Sequence, residues 1–231
     1  MRGWIVGTAL ALAACSGQSP STGCTGSRML TIRDFDAITL DSSDTVDVRR
    51  GEGYAIHIEG ADEVRDRIDI RRDGNDLRIG RKGPGLWTTG DTSARIVVTM
   101  PAIRGATLTG SGDITIDQAS EPFVAKLDGS GDMTLGQLQG DRATLTVSGS
   151  GTLAVAGSVR TIALSVAGSG KIDARQVRAG EATVSIAGSG DIAADINGPA
   201  RVSVVGSGSA TLGSGARCVV DRVGSGQVHC G

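Results

Sequence analysis

The sequence predicts an all-β chain wound into a parallel β-helix, a solenoid with Gly-Ser-Gly corners and about 18–20 residues per coil. Three observations carry this expectation. The triplet begins at Gly110, Gly129, Gly149, Gly168, Gly188, Gly206 and Gly224, at intervals of 19, 20, 19, 20, 18 and 18 residues, with an extra copy at Gly213. On both flanks of each triplet apolar residues alternate with polar ones, the period of a strand with one face inward. Glycine supplies 36 of 231 residues while the aromatics are limited to two Trp, one Tyr and two Phe, a composition of turns and thin strands. No collagen-type period is present, and 39% hydrophobic residues suffice for a packed core.

The chain opens with an address. Met1 and Arg2 precede the apolar run Gly3 to Ala14, which is too short for a permanent membrane helix and reads as a signal peptide over residues 1–14. The run ends Leu12-Ala13-Ala14-Cys15, a pattern that resembles the bacterial lipobox. Cys15 is therefore the expected lipidation site; a plain signal peptide cut after Ala14 is the alternative. Acyl chains on Cys15 would hold the protein to a membrane, at about 0.8 kcal/mol per buried methylene. Ser16, where an Asp would favour retention at the inner membrane, points to an outer-membrane lipoprotein of a bacterial envelope, facing the periplasm or the surface. Residues 15–27 combine the lipidated Cys with a small, polar stretch that has the composition of a flexible tether.

Residues 28–105 form an amino-terminal β region without triplets. Short alternating runs predict strands at 30–33, 37–40, 46–49, 55–59, 68–71, 77–80 and 94–100, separated by turn residues such as Asp73-Gly74-Asn75. Residues 61–67 alone suit a helical turn. Residues 82–92, with Gly83-Pro84-Gly85 and Trp87, read as an exposed loop. An uncovered coil at this end would offer a surface on which a partner stacks.

From residue 106 to 231 the repeat takes over. Positions four and two before each triplet hold Ala106 and Leu108, Ala125 and Leu127, Leu145 and Val147, Leu164 and Val166, Val184 and Ile186, Val202 and Val204. Four and six after its first glycine stand Ile114 and Ile116, Met133 and Leu135, Leu153 and Val155, Ile172 and Ala174, Ile192 and Ala194, Ala210 and Leu212. These predict aliphatic ladders along the axis of the coil. Glycine suits a corner that needs positive φ and close backbone approach, and the Ser hydroxyls are expected to stack as a ladder. A phosphate-binding loop is excluded, because each triplet leads into a strand pattern and not into a helix.

The regularity fails at the end. Cys218 and Cys230 lie six residues before and six after Gly224, so in an oxidising compartment a disulfide between them would staple the last coil as a cap. Cys24 is the odd thiol. The absence of any Cys-x-x-Cys spacing argues against zinc.

Four stretches together resemble a known family: Arg33-Asp34-Phe35-Asp36-Ala37-Ile38, Asp76-Leu77-Arg78-Ile79, the strand Val97-Val98-Thr99-Met100-Pro101, and Leu108-Thr109-Gly110-Ser111-Gly112-Asp113-Ile114. With the recurring triplets, they are similar to the auto-transporter adhesin head domain of the GIN type over roughly residues 28–231. The resemblance implies a right-handed β-helix, no established enzyme activity, and adhesion at the level of the family name. Cys218 and Cys230 depart from the family pattern, and no segment reads as a membrane barrel.

Few residues are spaced for chemistry. Twenty-three basic and 25 acidic residues give a net charge of −2 with no basic block, which, with so few rings, excludes nucleic acid as a partner. His57 and His229 are far apart, and no nucleophile elbow accompanies a Ser, His and Asp set. Directly after the triplets stand Asp113, Asp132, Thr152, Lys171, Asp191, Ser209 and Gln227, which the coil would stack into an outward column. Asp113 and Asp132, about 5 Å apart on the strand spacing, are the one candidate for a shared cation or a catalytic carboxylate pair; a solvated pair is the default. No catalytic residue and no cofactor are assigned. The reading is a non-catalytic, lipid-anchored envelope module that binds a protein or glycan or serves as a scaffold. The alternative is a β-helix glycan-processing enzyme, a lyase or hydrolase.

Overall fold

The computed structural model describes residues 26–83, 93–120 and 122–231. Signal peptide, Cys15, Cys24 and most of the tether lie outside the described residues, as does the stretch 84–92 of the expected loop. The described chain is nearly all-β, 72% strand and 2% helix, and forms a β-solenoid of about 7 turns from parallel stacked strands.

The triplet half winds regularly. Its strands are β8 (Gly105–Gly110), β9 (Asp113–Ala119), β10 (Phe123–Gly129), β11 (Asp132–Gly149), β12 (Thr152–Gly168), β13 (Lys171–Gly188), β14 (Asp191–Ile196), β15 (Pro199–Gly206), β16 (Ser209–Thr211), β17 (Arg217–Gly224) and β18 (Gln227–His229). In one axis column Ala106, Ala125, Leu145, Leu164, Val184 and Val202 are successive register partners on parallel rungs, and all are buried. Every one of the 24 inward positions expected from the triplet flanks is buried. Period-2 alternation produces this because a strand turns successive side chains to opposite faces, and parallel stacking repeats the same face on each rung.

The corners explain the glycines. Gly149 adopts φ +122°, a conformation that side chains rarely tolerate, and a Cβ on Gly131 would lie 1.9 Å from the carbonyl oxygen of Gly112 one rung below. The first glycine turns the chain and the third lets the rungs close. Backbone groups carry the corner ladder: the amides of Ser150, Ser169 and Ser189 donate to the carbonyls of Gly129, Gly149 and Gly168, each at 2.9 Å. The expected hydroxyl ladder is not the device. Among the described residues only Ser207 and Ser225 bring their hydroxyls together, at 3.4 Å.

The amino-terminal half is threaded out of chain order. Its strands are β1 (Gly26–Leu30), β2 (Ala37–Asp41), β3 (Thr45–Arg50), β4 (Ala55–Gly60), β5 (Ile68–Asp73), β6 (Asp76–Arg81) and β7 (Arg95–Met100), with one helical turn, α1 (Asp62–Arg65). β2 lies between β6 and β8, and β3 between β7 and β9, all parallel. The rung β2–β3 is thus sandwiched between a later rung and the first triplet rung. Beyond β6 and β7 the pairing turns antiparallel: β5 on β6, β4 on β7, β1 on β4. Short connections such as the turn at Gly74, φ +62°, can only join antiparallel neighbours. Among the described residues the amino-terminal end is therefore covered by antiparallel strands and not by an open parallel coil, with β1 and β5 each paired on one side.

The carboxyl-terminal end differs. β17 pairs with β15 and β18 with β16, and among the described residues nothing pairs with their outer edges. Cys218 and Cys230 form a disulfide, Cα atoms 6.2 Å apart. Cys218 continues the inward column of Ala200, and Cys230 follows His229, which is paired to Thr211, so it continues the column of Leu212. The bond crosses the interior of the last rung and staples it without roofing it: Val220, whose register partner Val202 is buried, is 45% exposed.

Candidate functional site

The column after the triplets forms as the winding dictates. Asp113 and Asp132 are register partners and both are exposed. One oxygen of each is engaged by the backbone of the next rung: Asp132 N–H donates to Asp113 Oδ1 at 3.2 Å, and Thr152 N–H to Asp132 Oδ1 at 3.1 Å. At Asp191 a side chain of the next rung takes that role, Ser209 Oγ donating to the carboxylate. Among the described residues no group of three or more potential ligands gathers for a metal. His57 sits half-buried on the outer face of β4, between Met29 and Val97, far from any such pair of carboxylates in the sheet order.

The built polar feature is instead a trough of about 490 Å³ on the wall formed by β5, β6, β2, β8 and β10. Strand register organises it into two rails. Arg71, Arg78, Thr39, Thr107 and Lys126 are successive register partners, and so are Asp69, Gly80, Asp41, Thr109 and Asp128. One rail is basic with hydroxyls, the other acidic with hydroxyls, about 7 Å apart because two residues separate them along each strand. At one end the charges are quenched locally: Arg71 pairs with Asp69 at 3.2 Å, and Arg78 with Asp73 and Asp76 at 3.3 and 3.6 Å. Thr39 Oγ1 donates to Asp76 at 2.7 Å. Lys126, Asp41 and Asp128 form no ion pair among the described residues, so the trough presents both signs of charge to solvent. No aromatic ring lines it.

Asp44 fixes one edge of this wall. Ser42-Ser43-Asp44 occupies the corner position that Gly110-Ser111-Gly112 fills on the next rung, as the flanking pairs Asp41 with Thr109 and Thr45 with Asp113 show. Its carboxylate is completely buried and accepts from Ala94 N–H at 2.7 Å, Ser42 Oγ at 2.7 Å and Arg81 Nε at 3.0 Å, with Arg81 Nη2 on the other oxygen. Arg81 ends β6 and Ala94 precedes β7, so one carboxylate ties both stems of the intervening segment. The hydrogen bond to Asp44 raises the Arg81 pKa above its already high value. Nothing in the sequence pattern singles out Asp44; its only sign is an acid in a corner where other rungs carry glycine.

A second trough, about 630 Å³, follows the bend where rungs of β11, β12 and β13 slip register. Gly136 and Ala156 leave it open, and Asp173, Arg175 and Gln176 line it. Arg175 Nε donates to Asp173 Oδ1 at 2.8 Å, which holds the Asp173 carboxyl below the usual carboxylate range.

A parallel solenoid with glycine corners, an aliphatic axis and polar walls defines a structural class, and comparison places the chain within it. The chain belongs to the family described as "Putative auto-transporter adhesin, head GIN domain", whose model matches residues 34–215. Among solved structures it is similar to a "putative adhesin" from Bacteroides fragilis NCTC 9343, at 20% identity and TM-score 0.72, covering 93% of this chain and 100% of that one. It is also similar to a "putative lipid binding protein" from Parabacteroides distasonis ATCC 8503, at 21% identity and TM-score 0.70, covering 91% and 98%. A "putative adhesin" from Parabacteroides merdae ATCC 43184 matches at 20% identity and TM-score 0.65, covering 91% and 97%. At these identities the likeness is one of fold. No curated protein matches the chain.

Proposed function

We propose that the protein is a non-catalytic, lipid-anchored binding module of the bacterial envelope, adhesin-like in its mode of contact. The observation that carries this reading is the two-rail trough, in which Lys126, Asp41 and Asp128 face solvent on a rigid wall while the core behind them is aliphatic. Fixed charges of both signs suit electrostatic complementarity with a protein surface. The absence of a ring from the trough lining disfavours a sugar face, so an envelope protein is the preferred partner and a glycan the rival. The family description agrees with an adhesin-like role and a location in the envelope or outside the cell.

Cys15 supplies the anchor in this reading. Cys15→Ser should move the full chain from the membrane to the soluble fraction, and unchanged partitioning refutes the tether. For the trough, the full chain is purified from detergent-solubilised membranes as wild type, Lys126→Glu and Asp128→Lys. A partner retained by wild type and lost from both reversals supports the reading; one indifferent to both places the contact elsewhere. Turnover of an envelope polysaccharide, abolished in Asp113→Asn/Asp132→Asn, would replace it with the glycan-processing alternative.

A further inference from the structure

Among the described residues no strand pairs with the outer edge of the rung formed by β17 and β18. β17 has eight residues whose outer edge is unpaired among the described residues, and its outward side chains Val219 and Val223 are 73% and 63% exposed, with Val205 beside them at 52%. Val220, which points along the buried axis column, is half uncovered. Solenoid ends ordinarily need a polar cap, and open strand edges template pairing with another strand.

The charges on the edge select the occupant. Arg217 and Asp221 lie four residues apart and, like Val219, on the outward side of β17, in register with Pro199, Ser203 and Arg201. Neither forms an ion pair among the described residues. In an antiparallel pair, opposed residues share a face, so a second β17 laid on this edge and centred on Val219 sets Arg217 against Asp221 twice over. The same register places Val219 on Val219 and, inside, Val220 against Cys218. Centring on Asp221 would oppose two carboxylates, and centring on Val220 would pair neither charge. Arg222 does not obstruct: although it follows the inward column of Val204, its Nη1 donates to Gly226 O at 2.9 Å and lies toward the corner.

We infer that the terminal rung is a docking surface for a second copy of this chain, joined about a two-fold axis through Val219 with Arg217 of each copy on Asp221 of the other. β1 lies with the antiparallel cover of the opposite end, so the joint sets the two copies of β1 at the far poles of a doubled rod. The inference stands independently of the trough and of Cys15.

Sedimentation equilibrium of the full chain in density-matched detergent tests it. The expected result is a dimer whose Kd rises at least about tenfold in Arg217→Asp and in Asp221→Arg, where like charges face each other, and recovers in the double exchange Arg217→Asp/Asp221→Arg. In a Cys24→Ser background, Val219→Cys should crosslink two copies on oxidation while Val223→Cys should not. Circular dichroism confirms that each variant folds, and if one reversal does not, the other and the double exchange still decide. A monomer at about 100 μM, well above the Kd range of specific complexes, overturns the inference. So does a dimer indifferent to charge reversal, or one that crosslinks at residue 223 and not at 219. An edge that recruits a different protein leaves the purified chain monomeric and gives the first of these outcomes.

Discussion

At the scale of single residues, two side chains set the tolerance of the fold. Asp44 is a buried charge with both oxygens engaged, so Asp44→Ala removes the acceptor that the Ala94 amide and the Arg81 guanidinium share. Breaking such a pair costs about 3–5 kcal/mol, to be read from the urea midpoint of unfolding. Gly131→Ala inserts a methyl group where Gly112 O already sits and should destabilise by at least about 1–3 kcal/mol, whereas Gly53→Ala, with nothing within 4 Å, serves as the control. At the Asp173–Arg175 pair the sign follows from the lowered carboxyl: its stabilisation is present above the ordinary carboxylate pKa and is lost as pH falls through the lowered one. Both side chains meet water, so Asp173→Asn should leave the neutral-pH Tm almost unchanged.

At the scale of elements, the inward ladders do the holding. Ile186 is 1% exposed between Val166 and Val204 on adjacent rungs, and Ile186→Ala should cost about 2–5 kcal/mol, against about 0.5–1.5 for Ile186→Val. A much smaller loss, measured by denaturant unfolding, would mean that the column relaxes into the gap. These ladders were legible in the sequence because alternation with a fixed triplet spacing determines both the face and the stacking. The strands of the amino-terminal half were legible too, from Ala37 to Met100, since each alternates on its own. Their neighbours were not. That β2 is flanked by β6 and β8 depends on long-range pairing, which local period cannot encode. The trough was hidden for the same reason: Arg71, Thr39 and Lys126 read as ordinary solvent-facing residues until the threading aligns them. Asp113 and Asp132 were placed correctly as neighbours, but their bonds to the next rung's amides follow from backbone geometry that residue spacing does not reveal.

At the scale of the molecule, stability is a sum over adjacent rungs, and among the described residues the rung of β17 and β18 has a neighbour on one side only. The Cys218–Cys230 bond closes a short segment, 12 residues apart in sequence, so Cys218→Ser/Cys230→Ser should cost up to about 3 kcal/mol on the chain-entropy account. The loss should be local. Hydrogen exchange is expected to quicken in β17 and β18 while β11 to β13 stay protected, and a uniform loss would show that the staple acts on the whole stack. The winding itself carries a last consequence. Continuing the helical path, the end of β3 leads straight into β8, so residues 51–104 are an excursion interposed between two consecutive turns, and they come back to where they left. Replacing them with a bend as short as the one linking β9 to β10 would preserve the spiral's course yet unroof Ile38, Leu40, Val46 and Val48, turning a lid into a second raw terminus.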